Sequence, residues 1–594
     1  MDKKDLTIIL LAILIGASGI ANIILSIEVG TIGPVEQNKV VIAASYPGLA
    51  KNDPVDTWDQ VSMWHQQQVT EGLVYYDISK HPNYAPSPRL AESWVWNNQT
   101  SITFKIREGV VFHDGTPLTA SAVKWNFERL MWFSNESGLV PANDTSKTGY
   151  SASLYYLSND TYLFDSFIAD DVNMEFTIIL NVPFGPLLDL LCFISTNIIS
   201  PASHKFYEIV QRDEILVGTG PYKMESYSFL KNIKYSRNKR WWGKAQYFDQ
   251  IIMKFVDDDI ERMNVGLAGK YDYVSGVLKS YVDQFRNTSG MHVEEIGEDL
   301  RYYYFEIYCG PRDYAGNMIV PGDYQYQRND ATFRRALTYA LNYTYIIKEI
   351  QQGKACYGVP AVPRLMPGHN NSIWHGYNES LTNGYSSSVK KARELMKTIW
   401  PAAATWDSDY PGTSENQWTS NTFRTIDLYE PYSFFGDGLF GDLSYICHSS
   451  WDLIGVYLDV YDPYWYNYLD ITELTPWKVD LFFVNWGPDY LNPYNMIDPL
   501  FNLASGSCFS RINDTGLTAM MEDAVSTINY KQQLEKWANI QSYIFDIKRS
   551  ENPSSHCHIP LYTYKAHQVH KTDLKGVNYN VFNILDTWNW YHEE

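Results

Sequence analysis

Beyond Ser101 the chain alternates, with Ile102, Phe104 and Ile106 on one side and Thr103, Lys105 and Arg107 on the other. A period of two predicts a strand with one face in a core and one in water. Upstream, Glu92 to Trp96 predicts a shorter partner strand, and the polar run Asn97-Asn98-Gln99-Thr100 supplies the reversal between them. Gly109 and Asp114-Gly115 end the pair. The period then changes, because Val123, Phe127 and Leu130 share one stripe of a helix that Thr119 is placed to cap. Pro88 to Leu130 thus predicts strand, turn, strand and helix, a unit with no chemistry of its own.

The same patterning predicts a first strand from Val40 to Ser45 and a helix from Trp58 to Leu73. It predicts an alternating strand from Arg301 to Tyr308, and a helix from Asp330 to Ile347 with Phe333, Leu337, Ala340 and Leu341 on one face. Another helix lies near Ser388 to Lys397. Strands follow at Ile454 to Val460, Val479 to Val484, His558 to Tyr564 and Lys575 to Val581. Asn135 to Asp160 and Ala402 to Asn421 are polar and predict an exposed excursion and a loose insertion.

Leu6 to Ile27 carries no charge and follows Lys3 and Lys4. At about 1.5 Å per residue it is long enough to cross a hydrocarbon core of roughly 30 Å, with Met1 kept inside by the positive flank. The reading favoured is an uncleaved anchor; the alternative is a cleaved signal peptide, since small residues follow Leu6 to Ala17. The chain has 594 residues, too many for one core, which stops growing near roughly 250 to 300 residues. Its 47 Lys plus Arg against 68 Asp plus Glu give −21, which argues against nucleic acid as a partner. The 6 cysteines are scattered without a CxxC pair, so disulfides are open and a zinc site is not indicated.

Taken together, these segments carry a resemblance. LAESW, a strand, REGVVFHDGTPLTA and a helix ending in FERL resemble the signature region of the extracellular solute-binding proteins of family 5. These are the peptide, nickel and oligosaccharide receptors of ABC importers. EGLVYYD, GTGPY, RYYYFEIY and DATFRRAL are similar to further family segments, with Asn342 where the family usually has Asp. The resemblance implies an α/β fold: a two-lobed periplasmic-binding-protein type II architecture, large and cluster C-like. An extra β-rich subdomain would be added and one N-terminal transmembrane helix would precede it. The expected order is a membrane anchor or signal segment (1–30), a linker (31–39), a first segment of lobe I (40–71), the β-rich subdomain of lobe I (72–205), a second segment of lobe I (206–300), lobe II (301–555) and a C-terminal return to lobe I (556–594). Crossovers between lobes are expected near Ser203 to Gly220 and at Arg301 to Tyr308.

Trp477 to Pro499, WKVDLFFVNWGPDYLNPYNMIDP, is the stretch expected to touch ligand. An apolar strand ends there in a turn rich in Asn, Gly and Pro, and clefts in two-lobed sheets form at such ends. The turn resembles a family motif whose Asp pairs with the α-amino group of a bound peptide and whose Trp walls the pocket. The resemblance thus implies Asp489 as ammonium partner and Trp486 as wall, with Tyr490 beside them and Tyr46 as a further contact. A sugar, with Asp489 accepting from hydroxyls, or a purely structural role for Asp489, are the alternatives.

Other motifs reduce to structure. Gly218 to Lys223 lacks the third Gly of a phosphate loop, and Gly436, Gly438 and Gly441 match a dinucleotide fingerprint by spacing alone. Asp257 to Asp259 predicts a solvated turn rather than a cation site. His556 and His558 share a strand face without a third ligand. No HExxH or G-x-S-x-G is present, which leaves a secreted hydrolase as a remote alternative. The expectation is a monomeric, non-enzymatic receptor without metal or cofactor. It is tethered at the cell surface, where it captures di- or oligopeptides, or alternatively oligosaccharides, for the transmembrane subunits of an ABC permease.

Overall fold

The computed structural model describes residues 38–593 apart from 46–47, 58, 81–83, 135–149, 158–159, 311–329, 359–360, 374–382, 432–438, 506, 546–555, 579, 581 and 583. From Lys39 onward these belong to one compact unit, Lys39–Glu594. The anchor expected at 1–30 lies outside the described residues, and among those described no helix is long and apolar enough to cross a membrane.

The strands that matter here are, in chain order, β1 (Lys39–Ala44), β2 (Ala91–Asn98), β3 (Ser101–Ile106), β4 (Phe164–Asp170), β5 (Glu175–Leu180), β6 (Tyr222–Ser228), β7 (Asn232–Arg237), β8 (Gln250–Phe255), β9 (Tyr273–Val274), β10 (Met291–Glu298), β11 (Tyr302–Ile307), β12 (Ala355–Tyr357), β13 (Arg424–Tyr429), β14 (Val456–Tyr461), β15 (Leu481–Trp486) and β16 (His558–Lys571). Twelve of them form one sheet in the order β14-β13-β15-β11-β16-β9-β1-β8-β7-β6, with β10 and β12 also paired to β16. The first half, β14 to β11, packs its apolar layer around Phe305, Leu337, Trp451 and Phe483. The second, β9 to β6, packs around Val40, Ile42, Trp64, Ile251 and Trp590.

β16 joins the halves. Its first residues pair antiparallel with β11, Tyr562 opposite Tyr303 and His558 opposite Glu306. Its last pair with β10, from Lys565 opposite Glu298 to Lys571 opposite Met291. At about 3.4 Å per residue its 14 residues span both sheets without a break. The sequence expectation of a crossing near Ser203 to Gly220 is therefore corrected, since no strand lies there. That segment folds back on the first helix instead: Gly220 N donates to Val69 O at 2.9 Å, and a Cβ on Gly218 would sit 2.3 Å from the same oxygen.

The alternation in β11 predicts a half-exposed strand, yet all six positions are buried. Tyr303, Phe305 and Ile307 enter one core cluster while Tyr302 and Tyr304, on the opposite face, enter another. Tyr302, Tyr304 and Glu306 on one side mimic a surface face, but tyrosine rings bury well, and Glu306 is buried with them.

The signature unit forms as patterned. β2, β3, β5 and β4 make a four-stranded antiparallel sheet, in register Ile102 to Ile178 and Phe104 to Phe176. The helix α1 (Gln60–Val69) precedes it. Asp59 caps α1 by accepting from Ser62 N at 2.9 Å, which sets its start within the longer span expected. Across the sheet lies α2 (Ala120–Ser134), whose first turn is capped by Thr119 Oγ1, accepting from Ala122 N at 3.1 Å. From α2, the fully buried Arg129 donates to Asp53 Oδ1 at 2.9 Å and to Glu208 O at 2.6 Å.

In the β14 half, α3 (Ala331–Ala340) starts on Asp330, and Asn342 caps the next turn by accepting from Tyr345 N at 3.1 Å, so the Asp-to-Asn change keeps a cap. The insertion at 402–421 is not loose: Trp406 and Trp418 are buried and meet edge to face, with centroids 5.1 Å apart. Two further helices, α4 (Thr515–Val525) and α5 (Tyr530–Phe545), share an apolar cluster with the β-rich subdomain. Gly185 N donates to Val525 O at 2.7 Å there.

Candidate functional site

β15 is apolar because it is flanked: Leu481 to Phe483 are buried between β13 and β11. It ends at Trp486, and Gly487 and Pro488 turn the chain toward the helix Tyr494–Phe501. Asn495 organises this turn. Its carbonyl accepts from the Trp486 indole at 3.0 Å, its Oδ1 from Asp489 N at 2.6 Å, and its Nδ2 donates to Asp489 Oδ2 at 3.3 Å.

A cavity of about 590 Å³ opens beside the turn, lined by Gly487, Pro488 and Asp489 from one half. From the other come the α1 face with Trp64, then Glu71, Gly72 and Val74 to Ser79, Arg89, Cys192 to Ile194, and Asn578, Phe582, Ile584, Asp586, Trp588 and Asn589. Between them lie Asp299, Leu300 and Arg301, in the link from β10 to β11.

Of the residues expected from sequence, Asp489 faces this cavity. Trp486 does not line it; its indole is tied down behind the turn by Asn495. Tyr490, 1% exposed, points into the core rather than the cavity. Tyr46 lies outside the described residues. Asp299, Arg301, Arg89 and Asp586 were not foreseen. They sit far apart in sequence and no local pattern joins them.

Charge in the cavity is uneven. Burial pushes the Asp489 carboxyl up to about 6, against the Asn495 hydrogen bond that favours the anion, and no cation contributes. Asp586 is also pushed up to about 6 by burial, opposed by the donors of Asn589, Asn578 and Trp590. Burial raises Asp299 as well, with Arg301 acting the other way. Arg89 is already committed. Its Nε lies 2.7 Å from Glu71 Oε1, and its guanidinium sits 5.0 to 5.6 Å from the ring centres of Tyr75, Trp241, Trp242 and Trp588. Glu71 also accepts from both indoles and from Thr219 Oγ1 at 2.8 Å. The wall is thus a rigid box of paired charge and rings, into which Asp489 projects an anion without a cationic partner among the described residues.

The remaining motifs fall away from the cavity. His556 precedes β16, and burial lowers it to about 3, while His558 is stacked on Tyr304 at 4.2 Å. Asp258 caps a helix by accepting from Glu261 N at 2.7 Å, and Asp259 pairs with Arg262. Gly436 and Gly438 lie outside the described residues. Among the described residues no group of three or more His, Cys, Asp or Glu could hold a metal ion.

A model of the bacterial extracellular solute-binding proteins, family 5 Middle, matches residues 85–427. The chain belongs to that family. Its members are binding receptors rather than enzymes. The oligopeptide-binding protein OppA of Bacillus subtilis is 22% identical, over 90% of this chain and 87% of its own. Among solved structures, the DppA of Helicobacter pylori in complex with the peptide STSA superposes with a TM-score of 0.65 at 19% identity, covering 94% of this chain and 99% of that one. The NikA of Brucella suis in complex with Fe(III)-EDTA gives 0.71 at 17%, covering 93% and 100%. These likenesses show the two-lobed periplasmic-binding-protein fold.

Proposed function

We propose that this protein is a cell-surface receptor that captures short peptides between its lobes and hands them to the permease of an ABC importer. The observation that carries the reading is Asp489, a carboxylate held in the cavity wall by Asn495 with no cation beside it. An α-ammonium entering there gains a charge-assisted hydrogen bond in a desolvated setting, worth more than an exposed pair. The cavity volume of about 590 Å³ lies within the roughly 300–1,000 Å³ range of small-ligand sites and suits a few residues, not a folded protein. The peptide-binding names of OppA and DppA support the same class.

In this reading residues 301–555 act as lobe II against lobe I, and closure bends the chain at the link before β11 and along β16, with ligand bridging both sides. Residues 1–30 tether the receptor, which works as a monomer. Against the oligosaccharide alternative, the rings of Tyr75 and Trp588 are engaged by Arg89 and do not offer a free stacking platform. Titration of the full-length protein in detergent, followed by tryptophan fluorescence, tests the proposal. Di- to tetrapeptides are expected to saturate and oligosaccharides not to; saturation by sugars alone would overturn it.

A further inference from the structure

Asp489 accounts for one end of a peptide, and the cavity contains a second charged group, Arg301, which is hydrogen-bonded to Tyr303 and has Asp299 as its neighbouring carboxylate. Arg301 is exposed, and the surface it exposes lines the cavity. It stands on the short link between β10 and β11, and among the described residues no carboxylate is in ion-pair contact with it. Burial works against its charge, but Asp299 and the hydroxyls of Tyr303 and Tyr564 outweigh that and keep the guanidinium positive. The other guanidinium of the wall, Arg89, is held through Nε by Glu71 and covered by rings. Arg301 alone among the described lining residues offers a fork of donors to an incoming anion.

Its position is fixed by the sheet. Tyr302 stands opposite Trp486 and Tyr303 opposite Asn485, so the antiparallel register carried one step further sets Arg301 across from Gly487. A Cβ on Gly487 would meet Arg301 Cγ at 3.4 Å, and glycine there leaves the arginine stem room to lie along the turn. Asp489 follows two residues later. Cross-strand neighbours are about 5 Å apart and two residues reach at most about 7 Å, so the two backbone positions lie within about 12 Å. That matches a di- or tripeptide, whose ends are roughly 7 to 10 Å apart when extended.

We propose that Arg301 binds a carboxylate of the ligand, so that the site selects short peptides carrying an ammonium for Asp489 and an anionic group for Arg301. This rests on the peptide reading of the cavity. The carboxylate can be the C-terminus or an acidic side chain.

Isothermal titration of the full-length protein in detergent with Ala-Ala-Ala, its C-terminal amide and the amide Ala-Glu-Ala-NH2 decides it. The amide is expected to bind roughly 10- to 100-fold more weakly than the free acid, the cost of one charge-assisted bond. Arg301→Gln should weaken the acid to the amide's level and leave the amide unchanged, while Arg301→Lys recovers some of the difference. Recovery of affinity by the glutamyl amide assigns the anion to a side chain; no recovery assigns it to the C-terminus. Equal binding of the acid, its amide and the glutamyl amide to the native protein overturns the proposal while leaving the receptor reading intact, and so does an Arg301→Gln variant that loses all three ligands equally. Failure of every peptide to bind the native protein overturns the receptor reading itself.

Discussion

Asp489 holds its charge where solvent gives little help, which makes its ionisation the point at which pH reaches the ligand. With the carboxyl pushed up to about 6, it is mostly ionised at pH 7 and mostly protonated at pH 5, where an ammonium loses its partner. Peptide affinity is therefore expected to fall about tenfold between pH 7 and pH 5, since the ionised fraction falls about tenfold over that interval. Asp489→Asn should bind roughly 10- to 100-fold more weakly at pH 7 and show a flat profile. Fluorescence titrations at half-unit steps check both; a native profile as flat as the variant's would remove Asp489 from the ligand contact. The residue was legible because it closes an apolar strand with a Gly-Pro turn. Its neighbour Trp486 was misplaced because a sequence cannot say on which side of a turn an indole falls, and here the Asn495 carbonyl settles it.

Elements were readable where one physical rule acted alone. The signature strands show the two-residue period of a one-sided sheet, and α2 starts where Thr119 caps it. Elements were misread where burial was two-sided or contacts were distant. β11 looked amphipathic because its tyrosines carry hydroxyls, and β16 runs to Lys571 although its later residues, AHQVHK, have no apolar pattern. The buried pair at the head of the β-rich subdomain is an element-scale prop: Asp53 accepts from Val55 N and Val210 N as well as from Arg129, tying α2 to two loops. Arg129→Met leaves that carboxylate buried without its cation. The variant is expected to lose about 3 to 5 kcal/mol of unfolding free energy, measured by urea titration, because breaking one side of a buried pair strands the other charge.

For the molecule as a whole, the β-rich subdomain meets the chain beyond β15 through a buried polar contact. Asp189 accepts from Asn492 Nδ2 at 2.9 Å and from Tyr76 OH at 3.1 Å, while Leu491 N donates to that same hydroxyl at 3.0 Å and Asn492 also donates to Gln533 at 3.0 Å. The titratable groups around it, Tyr76, Cys192 and Tyr530, are themselves raised by burial and none is cationic. Burial pushes Asp189 up to about 7. Its value in the docked state thus exceeds its ordinary one near 4, so the docked state takes up a proton between those values. Docking is fully favoured below about pH 4 and weakens as pH rises through 7, by an amount on the order of a few kcal/mol. Small-angle scattering at pH 6 and 8 should show a more open particle at the higher pH, and Asp189→Asn should abolish the difference. An unchanged pH response in the variant would assign the effect elsewhere.

One further consequence follows from the strand shared by both half-sheets. Because β16 comes after every strand it pairs with along the chain, neither half can complete its hydrogen-bonded ladder until that strand has been made. The two halves must therefore mature together, and a chain ending before His558 would leave a long unpaired edge in each, open to pairing with other chains.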